Sequence, residues 1–398
     1  MKAARHARDT SPVALTLAAL GIACASLAAA QVDDEGAAPP AGAAEAALPE
    51  GPHVFRTHRG GPELEVVARV PTGSLPKSVT VSPDGTRVVV CNFGQQGEQN
   101  VYVYDAETLE RTGTITFPGN AVESLFSPDG RTLYVSNFRR HVVEVVDFAT
   151  LTVEREIRAG HHPKFMALSP DGGTLYVANW AERSVSVLDV AAGQPVRRLR
   201  TERHPRGLVV RPDRTLLAAA FHGDVIHVFP ESSRAESERW EMCEMPRHLL
   251  LSPDAAMLYV TCSMGHIGFY DAQGGRLRGV APTGRNPRTI AINGDGRWIG
   301  VANFTSSDVT LLDTELRQHR TFEVPGASRI VGLAMHPGPR PRIYATSWDT
   351  HQLYVLAERA GSQALGVPSA GDAGALDAGD AGALDVGDAG VAGRGPVR

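Results

Sequence analysis

Phe165-Met166-Ala167-Leu168-Ser169-Pro170-Asp171-Gly172-Gly173-Thr174-Leu175-Tyr176-Val177-Ala178-Asn179 is the stretch that decides the fold. An apolar run meets a turn tetrapeptide, and a second apolar run returns from it. Proline at the second turn position fixes φ at about −65°, aspartate can bond the backbone, and glycine accepts left-handed geometry. Period-two alternation continues through Val185-Ser186-Val187-Leu188-Asp189. The basic run Val196-Arg197-Arg198-Leu199-Arg200 then fits a solvated outer strand.

The turn phrase begins at Ser82, Ser127 and Ser169, returns altered at Arg211 and as Ser-Pro-Asp-Ala at Ser252, and degenerates at Asn293 and His336. Successive starts lie 45, 42, 42, 41, 41 and 43 residues apart, which gives seven copies. A period of about 40–45 residues with no helical pattern is what four short strands and their turns consume. The predicted fold is therefore all-β, a seven-bladed β-propeller. The last copy supplies only three strands, Leu333-Ala334-Met335, Ile343-Tyr344-Ala345 and Leu353-Tyr354-Val355. The run Leu64–Val70, upstream of the first copy, is free to act as the fourth and is predicted to close the ring.

Composition bounds the rest. The chain has 398 residues, 42% of them hydrophobic, which excludes wholesale disorder. With 39 basic and 44 acidic side chains and a formal charge of −5, bulk electrostatics argue against a nucleic-acid partner. Lys2, Arg5 and Arg8 precede the apolar run Val13–Ala23 and the small residues Ala28-Ala29-Ala30. That order describes an export signal over residues 1–30, cleaved after Ala30 to leave Gln31 first. The rival reading makes Cys24 a lipid-modified cysteine, although the leucine usually found three places earlier is missing. Either route predicts a periplasmic, extracellular or cell-surface location. Residues 31–62 read as an Ala/Pro-rich linker, 63–360 as the propeller, and 361–398 as a Gly/Ala/Asp low-complexity tail. Calcium binding by Asp372, Asp377, Asp380, Asp385 and Asp388 would need about six oxygens converging on one point, and nothing in the tail enforces that. No other segment is apolar enough to span a membrane, and a monomer is expected.

Tyr134-Val135-Ser136-Asn137 and Tyr176-Val177-Ala178-Asn179 each follow Ser-Pro-Asp-Gly closely and precede Val-x-Val-x-Asp. They resemble the YVTN repeat of exported YncE-like and surface-layer propellers. The resemblance runs over residues 63–360 and implies the fold, whereas such repeats scaffold many activities. Copies four, five and seven depart at the asparagine position, with Ala220, Cys262 and Ser347.

Five basic residues stand five places before the turn, each after a proline: Lys77, Lys164, Arg206, Arg247 and Arg288. Copies two and seven carry Val122 and Val331 there. Innermost strands surround a propeller's channel, so this register predicts five positive charges around one mouth. Like charges so gathered need an offset. One reading is a pore for an anionic small molecule, phosphate or carboxylate. The other pairs each cation with a neighbouring blade's aspartate or a backbone carbonyl. A second ring, Phe93, Phe138, Trp180, Phe221, Phe304 and Trp348, is broken only by Ser263. These side chains suit packing between blades, and Trp180 and Trp348 are also candidates for stacking on a ligand.

Histidines crowd the same loops. His161, His162, His204 and His222 form the least strained candidate metal set, but no His-x-x-x-His or Cys-x-x-Cys spacing supports it, and no metal or cofactor is expected. Cys243 and Cys262 fall on one rim as disulfide candidates, leaving Cys91 over. Glu123 flanks the mouth. No nucleophile elbow, zinc motif or phosphate loop is present. The sequence thus reads as an exported, non-catalytic binding propeller for an anionic ligand or a cell-surface or protein partner. The alternatives are a lactonase-like hydrolase, and a redox propeller holding a non-covalent haem or quinone on His161, His162 or His204.

Overall fold

The structure, a computed structural model, describes residues 55–57, 62–234, 237–315 and 317–358. The predicted signal, Cys24 and the tail 361–398 lie outside these residues. Every regular element among them is a strand.

Seven antiparallel sheets follow one another along the chain. Blade 1 comprises Pro76–Val81, Arg87–Asn92, Val101–Asp105 and Arg111–Ile115. Blades 2 to 6 repeat this pattern, with first strands Ala121–Phe126, Pro163–Leu168, Pro205–Val210, Pro246–Leu251 and Pro287–Ile292. Blade 7 takes Ile330–Met335, Arg342–Ser347 and Gln352–Glu358 from the end of the chain and Leu64–Pro71 from its beginning, paired antiparallel from Leu64↔Glu358 to Pro71↔Gln352. The N-terminal strand thus completes the last blade. First strands of neighbouring blades pack against one another all the way round, blade 7 returning to blade 1.

The turns do what their residues dictate. The serine hydroxyls of Ser82, Ser127 and Ser169 each donate to the aspartate two places on at 2.6 Å, and Gly85, Gly130 and Gly172 take φ of 72–76°. Core side chains gather between blades rather than within them. Val79, Val88, Val90, Tyr102 and Tyr104 of blade 1 meet Ala334, Tyr344, Leu353 and Val355 of blade 7 in one buried cluster. That seam carries polar ties as well. Tyr104 donates to the Pro71 carbonyl at 2.8 Å, and Tyr344 donates to the Ala106 carbonyl at 3.1 Å.

One part of the predicted 31–62 linker is folded. Phe55 is buried, stacks on Phe269 with ring centroids 4.4 Å apart, and leads Arg56–Thr57 in as a parallel fifth strand on the edge of blade 6. Phe55 N–H donates to Val280 O at 3.2 Å and Arg56 N–H to Arg317 O at 3.1 Å. A single aromatic residue in a Pro/Gly-rich context carries no periodic signal, so this strand is not legible in the sequence.

Candidate functional site

Six of the seven blades enter their first strand through the same bend. The residue before that strand has φ between 49° and 57° at Leu75, His162, His204, Met245, Asn286 and Arg329. Non-glycine residues hold this left-handed region only where their surroundings fix it. A recurring bond supplies the fixing: the carbonyl of the residue before the first strand accepts the N–H of the residue just past the second strand. It joins Leu75 to Phe93, Asn120 to Phe138, His162 to Trp180, His204 to Phe221, Met245 to Ser263, Asn286 to Phe304 and Arg329 to Trp348, at 3.0–3.4 Å. The asparagine of the YVTN-like phrase secures the loop just upstream. Asn92 and Asn179 accept from the N–H of Gly73 and Gly160, at 3.0 and 2.9 Å. In blade 2 the left-handed residue is Gly119 (φ 110°), where a Cβ would stand 2.2 Å from Asn137 Oδ1, so glycine is required.

This scaffold points the first-strand cations inward. Lys77, Lys164, Arg206, Arg247 and Arg288 line one cavity of about 30 Å³, together with Val122, Glu123, Phe165, Thr289 and Val331. Lys164, Arg206, Arg247 and Arg288 are at most 6% exposed. Burying a cation is costly unless other groups take over from water, and here aromatic faces do so. Lys77 Nζ lies 5.0 Å from the Trp348 ring centroid, and Lys164 Nζ lies 4.2 Å from that of Trp180 and 5.6 Å from that of Phe138. Phe221 carries two guanidinium groups, Arg206 at 4.6 Å and Arg247 at 4.5 Å, and Arg288 lies 3.4 Å over Phe304. Where the ring position is Ser263, its hydroxyl accepts from Arg247 Nε at 2.9 Å. Each desolvated cation–π contact can contribute about 2 kcal/mol. Several cross a blade boundary, Lys77 to Trp348 and Arg247 to Phe221 among them, so they tie blades together as well.

The aromatic ring therefore neither simply fills the wedge nor stands open as a stacking platform: Trp180 and Trp348 are 7% and 8% exposed and face the cations. The signal for the pairs within one blade was in the sequence: the offset from cation to ring is 16 residues for Lys164–Trp180 and Arg288–Phe304 and 15 for Arg206–Phe221.

Glu123 is the acid of this cavity. Burial pushes its carboxyl up to about 8, against the pull of Lys77 and the Ser78 hydroxyl. Around the cations lies a band of imidazoles. His162 stacks on Phe138 at 4.1 Å and Trp180 on His204 at 4.5 Å, while His141 lies 4.6 Å from His161 and His204 lies 4.7 Å from His222. Desolvation, with nearby cations and other histidines, lowers His162 and His204 to about 4, so both are neutral at ordinary pH.

The four histidines proposed as a metal set thus fall into two groups, His161 with His162 and His204 with His222, with Trp180 between them. His161 also faces Glu182 at 3.5 Å. Among the described residues, the donors that gather closely enough for one ion are Cys243, Cys262 and His266. The two sulfurs are joined to each other as a disulfide, with Cα atoms 5.8 Å apart. Cys91 is a buried free thiol in the core between blades 1 and 2.

Comparison with known proteins agrees with the architecture. A family model described as a domain of unknown function (DUF7165) matches residues 110–267, from the outer strand of blade 1 to the third strand of blade 5. Over 110 residues the chain is 28% identical to a dihydro-heme d1 dehydrogenase of Pseudomonas aeruginosa, covering 26% of this chain and 22% of that protein. The chain thus spans about a fifth of the length of the curated relative it matches. Among solved structures, hydrazine synthase of Kuenenia stuttgartiensis superposes with a TM-score of 0.63 at 22% identity, over 73% of this chain and 97% of that one. The β-propeller domain of Myceliophteria thermophila Cps50 (Swd1) superposes with 0.64 at 13%, over 75% and 100%. A chain of the mitotic checkpoint complex gives 0.64 at 15%, over 78% and 97%. The chain is a seven-bladed β-propeller. At these identities the structural likenesses speak for the fold alone.

Proposed function

We propose that this chain is an exported, YncE-like binding propeller that holds an anionic group at the basic end of its channel. The observation that carries this reading is the convergence of five cations on one cavity of about 30 Å³. A space of that size suits one small anion, or the carboxylate or phosphate end of a larger ligand. The aromatic faces lower the cost of keeping the cations dry, and five cations gathered on one cavity favour an arriving anion. Thermal melting in formate, nitrate and phosphate, at constant ionic strength, tests it. A rise that grows with the logarithm of anion concentration is expected, about 2.7 kcal/mol at one hundred times Kd. Identical melting in all three salts and in a non-entering bulky anion would sink the reading.

A second reading rests on the local likeness to dihydro-heme d1 dehydrogenase together with the imidazole band. It makes the chain a propeller that handles a carboxylate-bearing tetrapyrrole. His162 and His204 each keep a buried Nδ1 with no hydrogen-bond partner, and both rings are neutral. A Soret band that shifts on adding haem, and returns to that of free haem in His162→Leu with His204→Leu, is the expected result. An unshifted band in the unaltered protein would dismiss it.

A further inference from the structure

Blade 2 brings no lysine or arginine to the channel ring. Its first strand places Val122 there, followed by Glu123, which lines the same cavity of about 30 Å³ as the five cations. The groups facing this carboxyl come from every side. Lys77 and Ser78 lie on the first strand of blade 1, and Cys91 on its second strand remains a neutral thiol, since burial raises it to about 12. Lys164 stands on blade 3, with Arg206, Arg247 and Arg288 beyond it. Blade 7 contributes Val331, which carries no charge. On Glu123's own blade, Ser136 Oγ accepts the Glu123 backbone N–H at 3.1 Å.

A cavity with room for about one small ion cannot keep two negative charges apart. Like charges held within a few ångström of each other and away from bulk water repel strongly. An incoming anion and an ionised Glu123 would therefore compete for the same cations. A protonated Glu123 removes the competitor and supplies an O–H donor to the anion.

Resting on the anion-binding reading above, we propose that this site takes an anion and a proton together, the proton residing on Glu123. Its ligand class is then the monoanion of a small oxyacid, or a monoanionic terminal group such as a carboxylate. Burial already holds the Glu123 carboxyl largely protonated at neutral pH, so the coupling shows itself on the alkaline side.

The test is calorimetric titration of the full exported chain with sodium formate, at fixed ionic strength, in buffers of different ionisation enthalpy between pH 6 and pH 9.5. Below pH 7 formate binds with a constant affinity and little proton uptake. Above pH 8 the affinity falls about tenfold per pH unit and close to one proton is taken up per formate. Glu123→Gln cannot ionise, so whatever formate affinity it has is the same at pH 6 and pH 9, and it takes up no proton. Formate binding whose affinity and proton count do not change with pH in the unaltered protein overturns the proposal. So does proton uptake, or an affinity that still falls above pH 8, in folded Glu123→Gln. Should that variant fail to fold, the same titration of Lys77→Arg with Lys164→Arg decides: uptake that survives leaves the proton on Glu123, and uptake that vanishes overturns the proposal. Absence of formate binding at pH 6, where Glu123 is protonated, would instead remove the anion site itself and this inference with it.

Discussion

Lys164 Nζ lies 4.2 Å from the centroid of the Trp180 indole, and that ring is held by its own backbone N–H, 3.1 Å from the carbonyl oxygen of His162. The lysine, the ring and the loop that positions both belong to one repeat unit. Variants of the unit recur round the channel, and from them come a buried basic lining and the seams between blades.

If aromatic faces stabilise the buried cations, Phe221 is the most exposed test, because two guanidinium groups share it. Phe221→Leu keeps apolar volume and removes the ring face. We expect a loss of about 1–3 kcal/mol in urea unfolding, and a coupling with Arg206→Met of about 0.5–2 kcal/mol in a double-mutant cycle. Additive single effects would mean that the ring acts as filler alone. Since Arg206 and Arg247 are buried, alanine at either position is expected to cost stability as well as charge, and methionine is the cleaner replacement.

Removal of residues 63–71 takes away the strand that pairs with Gln352–Glu358 and the carbonyl that accepts from Tyr104. Blade 7 would keep an unpaired edge, and the seam with blade 1 would open. Cooperative melting should be lost in differential scanning calorimetry. A transition of unchanged sharpness and midpoint would contradict ring closure as the source of cooperativity.

Glu123 sets a pH dependence of stability. Its carboxyl sits at about 8 in the fold against 4.5 for the ordinary side chain. Between those two values the native state binds more protons than the unfolded chain, so this residue's contribution falls as pH rises through that window. The penalty accumulates at no more than about 1.4 kcal/mol per pH unit and levels off above pH 8. Glu123→Gln does not titrate. It should melt like the unaltered protein at pH 4 and higher than it at pH 9. An equal difference at both pH values would show that packing, not charge, distinguishes the two.

Much of this was legible in the sequence, for identifiable reasons. The Ser-Pro-Asp-Gly turn restricts the backbone at each of its residues, so its recurrence fixed blade number and strand order. The closing strand followed from a count, because copy seven offers three strands where four are needed. Lys77, Lys164, Arg206, Arg247 and Arg288 shared one position relative to that turn, and the fold brings all five to one cavity. What the sequence hid were contacts set by the angle between blades. Lys77 and Trp348 are 271 positions apart and meet only because the ring closes. The histidines showed the converse limit: shared loops brought His162 and His204 to one rim, but the intervening indole of Trp180, not spacing, decided that they stand apart.

Whether the basic lining receives an anion is answered most directly by crystals of the protein soaked in bromide at pH 6, with bromide located by its anomalous scattering. We predict a bromide inside the cavity, in contact with Lys77, Lys164 and the three arginines. Bromide confined to the outer surface, with water or nothing between those side chains, would contradict it.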